Sequence, residues 1–175
     1  MNGSLGRRLA IGSAAIVLGG LSAVVIQSPA LAATFSASYT CVAPVLGTQT
    51  ATIDGTLTAT PNPAAAGSPV AVALHLAQIS LRAPLTINSW SMTVGLDVTG
   101  AEAAQFAVTG SGGRVPANQP ITGDLAGSWT PAVAGTDEIR GGAVVVKANV
   151  FLLGNLTIDC TADEPRPVGE TLTVS

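Results

Sequence analysis

The chain has 175 residues, of which 47% are hydrophobic and 10% are charged, with ten acidic residues against seven basic ones. This acidic balance argues against a nucleic-acid partner and against an anionic membrane surface, because both carry negative charge. Aromatic residues make up only 3% of the chain, while threonine, valine, alanine and glycine are abundant, which is typical of an exported all-β domain.

The first 32 residues have the pattern of a secretory signal peptide. Arg7 and Arg8 form a basic start, residues 9–26 are uncharged and mostly apolar, and Ala30-Leu31-Ala32 is a small-residue cleavage pattern. The alternative is a retained membrane anchor, because the apolar run is long. We predict cleavage after Ala32 and export through the Sec route. The Arg7-Arg8 pair keeps the twin-arginine route as an alternative.

The remaining residues, 33–175, are enough for one domain with a sizeable core. They keep five basic residues against ten acidic ones, a net charge of about −5. We therefore expect a secreted single-domain protein that is a monomer and does not associate with the membrane once the leader is removed.

Apolar and polar residues alternate along the first part of this domain, which predicts strands with one buried face. The strand over 34–42 turns Cys41 inward. The strand over 48–60 turns Ala51, Ile53 and Leu57 inward. Its outward threonines include Thr50, Thr52, Thr56 and Thr58. A third strand begins at residue 70, and its pattern slips near Ala77-Gln78, which predicts a β-bulge.

The second part of the domain continues the alternation and adds one longer run. Strands are predicted over 88–99, 104–108, 125–129 and 172–174, and residues 133–142 are predicted to be a turn region. Residues 143–160 carry apolar residues or glycine at every even position and place Cys160 inward. This run is long for one strand, so we expect it to bend or split at Gly154. The whole pattern predicts an immunoglobulin-like two-sheet antiparallel sandwich of about seven to nine strands.

Two cysteines on inward faces of an exported domain predict one disulfide, Cys41–Cys160. The alternative is two buried free thiols. The disulfide would close a loop of 119 residues, for which chain entropy predicts a stabilisation of about 4–5 kcal/mol.

Several short motifs accompany these strands. They are Tyr39-x-Cys41, Pro44-x-x-Gly47, Gly123-x-Leu125-x-Gly127-x-Trp129-Thr130-Pro131 with Gly135, and Gly154-Asn155 leading to Cys160. Together the motifs resemble a family of exported actinobacterial proteins known only as a domain of unknown function. The resemblance implies an exported immunoglobulin-like β domain and supplies no catalytic residues.

Few residues in this sequence are candidates for catalysis or metal binding. His75, the single histidine, has no nucleophile motif beside it, so we interpret it as a surface or inter-strand residue. The adjacent acids Asp137-Glu138 and Asp163-Glu164 lack the spacing of calcium ligands, and we expect solvated turns. We predict no catalytic residues, no metal site and no cofactor.

Two surface features suggest a partner. The outward threonines Thr50, Thr52, Thr56 and Thr58 form a ladder that suits ice or glycan binding only if neighbouring strands extend it, and an ordinary exposed face is the simpler interpretation. Phe151 and Leu153 are apolar on the polar side of the long run. They mark either a partner surface or a place that a loop covers.

The sequence therefore predicts a secreted, non-enzymatic β-sandwich with a binding or structural role toward an extracellular or cell-envelope partner. The first alternative is a carrier with an apolar pocket between the sheets. A hydrolase of envelope polysaccharide, using Asp137, Glu138, Asp163 and Glu164, is the less favoured alternative.

Overall fold

A computed structural model describes residues 33–44 and 47–175. The described residues form nine strands: β1 (Ala33–Ala43), β2 (Gly47–Thr60), β3 (Val70–Ile79), β4 (Ile87–Gly100), β5 (Ala104–Gly112), β6 (Gly123–Trp129), β7 (Gly135–Val150), β8 (Gly154–Ala162) and β9 (Val168–Val174). The predicted signal peptide, residues 1–32, lies outside the described residues. Within the described ranges, no helix has the length and apolar character that crossing a bilayer requires.

All nine strands pair antiparallel in one continuous sheet, in the order β4-β5-β6-β3-β2-β1-β8-β7-β9. An additional pairing of β4 with β7 closes this sheet on itself. Side chains of β1, β2 and β3 then face those of β4 and β7 across a shared core, with a cavity of only about 20 Å³ between them. The predicted all-β antiparallel fold with seven to nine strands is confirmed.

Strand β2 shows why the pattern of this sequence produces strands. Ala51, Ile53 and Leu57 are buried, while the threonines between them face outward and remain partly exposed. β-branched residues suit such a half-buried pleated surface. The predicted bulge is confirmed, because Asp54 pairs with Gln78 and Gly55 with Leu76, leaving Ala77 as the extra residue.

The predicted turn region over residues 133–142 is wrong, because β7 already begins at Gly135. Residues 135–140 pair with β9 on one side, and residues 137–141 pair with β4 on the other. Asp137 and Ile139 are both fully buried at this point. Charged residues and the Gly141-Gly142 pair hide the alternation in the sequence, whereas pairing on both edges keeps the segment extended.

The long run over 143–160 splits, as predicted, but into two strands of a hairpin. Strand β7 ends at Val150 and β8 begins at Gly154, whose φ of +76° is one that glycine adopts without strain. Val144 pairs with Cys160 and Val146 with Ile158, so the inward residues of the two halves share one face.

The predicted disulfide is confirmed: Cys41 and Cys160 are bonded and lie directly opposite each other on β1 and β8. Both residues are buried. The bond therefore joins the first strand to the eighth within the core.

Candidate functional site

An apolar pocket of about 160 Å³ lies where the β3–β4 connection crosses the ends of β7 and β8. Its wall is almost entirely carbon and includes Leu81, Leu85, Ile87, Ile121, Val146 and Leu156. Protein interiors are normally packed without voids larger than a water molecule. An apolar space of this size next to the surface is therefore the leading candidate for a binding site.

Backbone hydrogen bonds hold the frame of this pocket. Ile87 and Val115 exchange two bonds of 2.9 Å, and the Asn118 N–H donates to the Ala83 carbonyl at 2.8 Å. On the other side, the Phe151 N–H donates to the Thr86 carbonyl at 2.9 Å. Backbone hydrogen bonds thus hold the β3–β4 connection at Ala83 and Thr86, next to the pocket.

The turn between β7 and β8 extends the apolar surface beyond the pocket. Its three residues, Phe151, Leu152 and Leu153, are 54%, 82% and 45% exposed. Leu153 also lines the pocket. The chain thus presents three consecutive large apolar side chains to solvent at the rim of an apolar pocket, an arrangement typical of interaction sites.

Leu152 also has an unfavourable backbone conformation. The Leu153 N–H donates to the Val150 carbonyl at 3.1 Å, and this turn places Leu152 at φ +66°. Glycine and asparagine tolerate such angles, whereas leucine is strained there. A strained, exposed leucine adds nothing to the core, and backbone strain of this kind clusters at functional sites.

The structure divides the predicted partner residues between two places. Leu153 lines the pocket and Phe151 lies in the same turn, and both side chains are about half exposed in the part of the chain that the structure describes. The threonines Thr50, Thr52, Thr56 and Thr58 lie on the outer face of β2. Their neighbours on β1 are the polar residues Thr40, Ser38 and Thr34, and their neighbours on β3 are His75 and Ala73. They therefore form a surface separate from the pocket.

His75 lies on the outer face of β3, as the interpretation of a surface residue predicts. Its Nδ1 atom is 2.6 Å from an Asp124 carboxylate oxygen, and both side chains are largely exposed. Among the described residues, no serine or cysteine side chain makes a polar contact with this pair. It is an exposed ion pair between β3 and β6 when the histidine is protonated.

The four acids of the hydrolase alternative do not meet at one cleft. Asp137 is fully buried, where its Oδ1 accepts a bond from the Glu102 N–H at 3.0 Å, so the predicted solvated turn is wrong for this residue. Glu138 pairs with Arg140 on the other face of β7. Asp163 accepts from the Thr40 hydroxyl at 2.9 Å, and Glu164 pairs with Arg166 at 2.9 Å. Each carboxylate therefore has a partner within the fold.

A polar cluster lies at the small cavity between β1–β3 and the strands β4 and β7. Arg166 pairs with Asp97 and donates to the Gly141 carbonyl at 3.3 Å. Tyr39 lines the same cavity of about 20 Å³, which has room for about one water molecule. Burial raises the pKa of Tyr39 to about 12, against the opposing effect of Arg166. This cluster joins the β8–β9 connection to β4 and leaves no space for an organic ligand.

Sequence reasoning missed most of the pocket. Ala83, Leu85 and Ile121 lie between strands, where the alternation of residues predicts nothing, and Ala83-Pro84 is only a break in the pattern. The available signal was the presence of these large apolar residues in connections that would otherwise be polar.

No group of three or more His, Cys, Asp or Glu side chains in the described ranges is placed to hold a metal ion. Comparison of the chain with models of known protein families finds no match. Comparison with curated protein sequences finds none either. The resemblance to an exported actinobacterial family stays a prediction.

Proposed function

We propose that this chain is an exported, non-enzymatic binding module that takes the apolar part of a ligand into the pocket beneath the β3–β4 connection. The pocket itself carries the proposal, because it is an apolar space at the surface whose frame is held by backbone hydrogen bonds. The exposed turn residues Phe151–Leu153 support it, since they continue the apolar surface outside. This function corresponds to the carrier alternative that the sequence left open.

The size of the pocket defines the group that it accepts. A dry, apolar protein cavity of about 150 Å³ binds benzene. The present pocket, at about 160 Å³, is comparable. We therefore expect it to hold about six carbon atoms, as a ring or as the end of a chain.

Titration of the protein with 1-hexanol, followed by NMR chemical shifts, tests this function. Ala148 is buried in the pocket wall, so Ala148→Leu fills the space, whereas Ala73→Leu adds the same volume on the exposed outer face of β3. We expect Ala148→Leu to weaken hexanol binding by about tenfold or more, equivalent to about 1.4 kcal/mol, and Ala73→Leu to bind like the wild type. Absence of hexanol binding by the wild type, or equal binding by both variants, would overturn the proposal.

Export is tested on the full chain. The disulfide supports it, because such bonds persist in oxidising compartments. When the chain is expressed with residues 1–32 in a bacterial host, we expect the protein in the medium to begin at Ala33. A product that begins at Met1 and stays with the membrane fraction would support the retained anchor instead.

A further inference from the structure

We infer that the ligand of the apolar pocket is an amphiphile with an anionic head, and that Arg82 binds this head. The inference rests on the proposed function and adds the chemistry of the ligand's polar end. It follows from the position and the unpaired charge of Arg82.

Arg82 lies in the β3–β4 connection and lines the pocket while its side chain is exposed to solvent. Its Nη1 atom donates to the Asn118 carbonyl at 3.5 Å, a long bond that uses one of five N–H donors. Among the residues that the structure describes, no carboxylate lies within ion-pair distance of this guanidinium. Most of its hydrogen-bonding capacity therefore faces water at the pocket.

The surroundings of the Arg82 guanidinium favour an anionic ligand. Arg82 is the only ionisable residue among the described lining residues, so no acid there opposes an anion. Arg140 and Arg166, in contrast, are paired with carboxylates. Arg114 and Lys147 have no such pair either, but they line different and more polar grooves. Within residues 33–44 and 47–175, Arg82 is thus the one cation without a carboxylate partner that lines an apolar cavity.

A carboxylate, phosphate or sulfate head matches the guanidinium, because its oxygens accept two parallel N–H bonds. The chain of the same molecule would occupy the pocket, and any excess length would lie against the exposed turn, Phe151–Leu153. A ligand with an apolar chain and an anionic head thus matches both the apolar pocket and the Arg82 guanidinium.

Three probes with the same chain test the inference: hexanoate, hexyl phosphate and 1-hexanol, with binding measured by NMR titration at low salt. We expect the wild type to bind at least one anionic probe about tenfold more tightly than hexanol. Added salt reduces this preference, because the head group is exposed to solvent. The two anionic probes distinguish a carboxylate head from a phosphate head.

Arg82→Gln removes the charge from an exposed side chain, and Arg114→Gln is the matched control outside the pocket. We expect Arg82→Gln to bind the anionic probe no better than it binds hexanol, and Arg114→Gln to keep the wild-type preference for the anionic probe. If the wild type binds all three probes equally, or Arg82→Gln keeps the preference, this inference is wrong and the proposed function stands. If no probe binds, both are wrong.

Discussion

Two carboxylic acids are buried in this fold, Asp137 on β7 and Glu170 on β9. Because Asp137 pairs with Leu172 and Ile139 with Glu170, the two acids occupy diagonal positions on one inward face. Each has one oxygen bonded to a backbone N–H, from Glu102 and Thr171 respectively. The other oxygen of each has no partner among the described residues. A buried carboxylate oxygen without a hydrogen-bond partner costs folding free energy.

Glu170 provides a prediction about stability against pH. Burial raises the pKa of its carboxyl above the usual value of 4.5, against the bond from the Thr171 N–H. The native state therefore binds this proton more tightly than the unfolded chain does, and its contribution to stability declines as the pH rises above about 4. Glu170→Gln keeps a neutral group of the same shape.

We expect the melting temperature of Glu170→Gln to approach that of the wild type near pH 4 and to exceed it increasingly toward pH 7. Thermal unfolding followed by circular dichroism at several pH values measures this difference, and the wild type at each pH is the control. A difference that does not vary with pH would contradict the assignment.

Tyr39 provides a second prediction at this scale, because it is the only tyrosine in the chain. Its phenolate absorbance therefore reports one site. We expect a midpoint of about 12 for the folded protein and of about 10 for the protein unfolded in urea, because burial disfavours the phenolate. Stability consequently declines as the pH rises from 10 toward 12. A midpoint near 10 with an unchanged circular dichroism spectrum would show that Tyr39 is solvated.

At the scale of elements, the β7–β8 hairpin combines regular pairing with an irregular tip. Val144 to Val150 pair with Cys160 to Gly154 without interruption. The turn between them then places Leu152 in the left-handed region. The alternating residues of β7 and β8 thus favour the paired strands, whereas leucine at position 152 does not favour the backbone conformation of the turn.

Replacing the strained residue tests this contrast. We expect Leu152→Asn to stabilise the protein by about 1 kcal/mol, because asparagine tolerates the left-handed region. Leu153→Asn is the control, since Leu153 does not have a positive φ and contacts the pocket. It should give no gain. Denaturant unfolding of both variants measures the effect, and an equal or lower midpoint for Leu152→Asn would show that the turn is not strained.

At the scale of the whole molecule, the Cys41–Cys160 bond connects distant parts of the chain. It spans a sequence separation of 119 residues and joins neighbouring strands of the closed sheet. Such a bond restricts the unfolded chain far more than the native one, which already brings the two strands together.

We expect the double variant Cys41→Ala, Cys160→Ala to lose about 4–5 kcal/mol of unfolding free energy, as chain entropy predicts for a loop of this length. Denaturant unfolding measures the loss. The control is the mass of the unreduced wild type, which should lie about 2 Da below that of the reduced chain because two thiols are joined. An unchanged unfolding midpoint in the double variant would contradict the entropic argument.

The sequence by itself determined the strands wherever polar and apolar residues alternate, because alternation is a local property of an extended chain. It also determined the bulge at Ala77-Gln78, and it predicted the Cys41–Cys160 pair from the inward faces of two strands. The β7 segment from Gly135 to Gly142 escaped prediction because its extended form depends on β4 and β9, which pair with it from distant positions.

Only the tertiary structure decided the closure of the sheet, the burial of Asp137 and Glu170, and the pocket. Leu81 and Leu85 line the pocket together with Ile121, Val146 and Leu156, residues that are far from them in sequence. No local sequence pattern predicts this pocket, because a pocket forms between strands and connections only when they pack together. The position of Arg82 at its edge is likewise a consequence of packing.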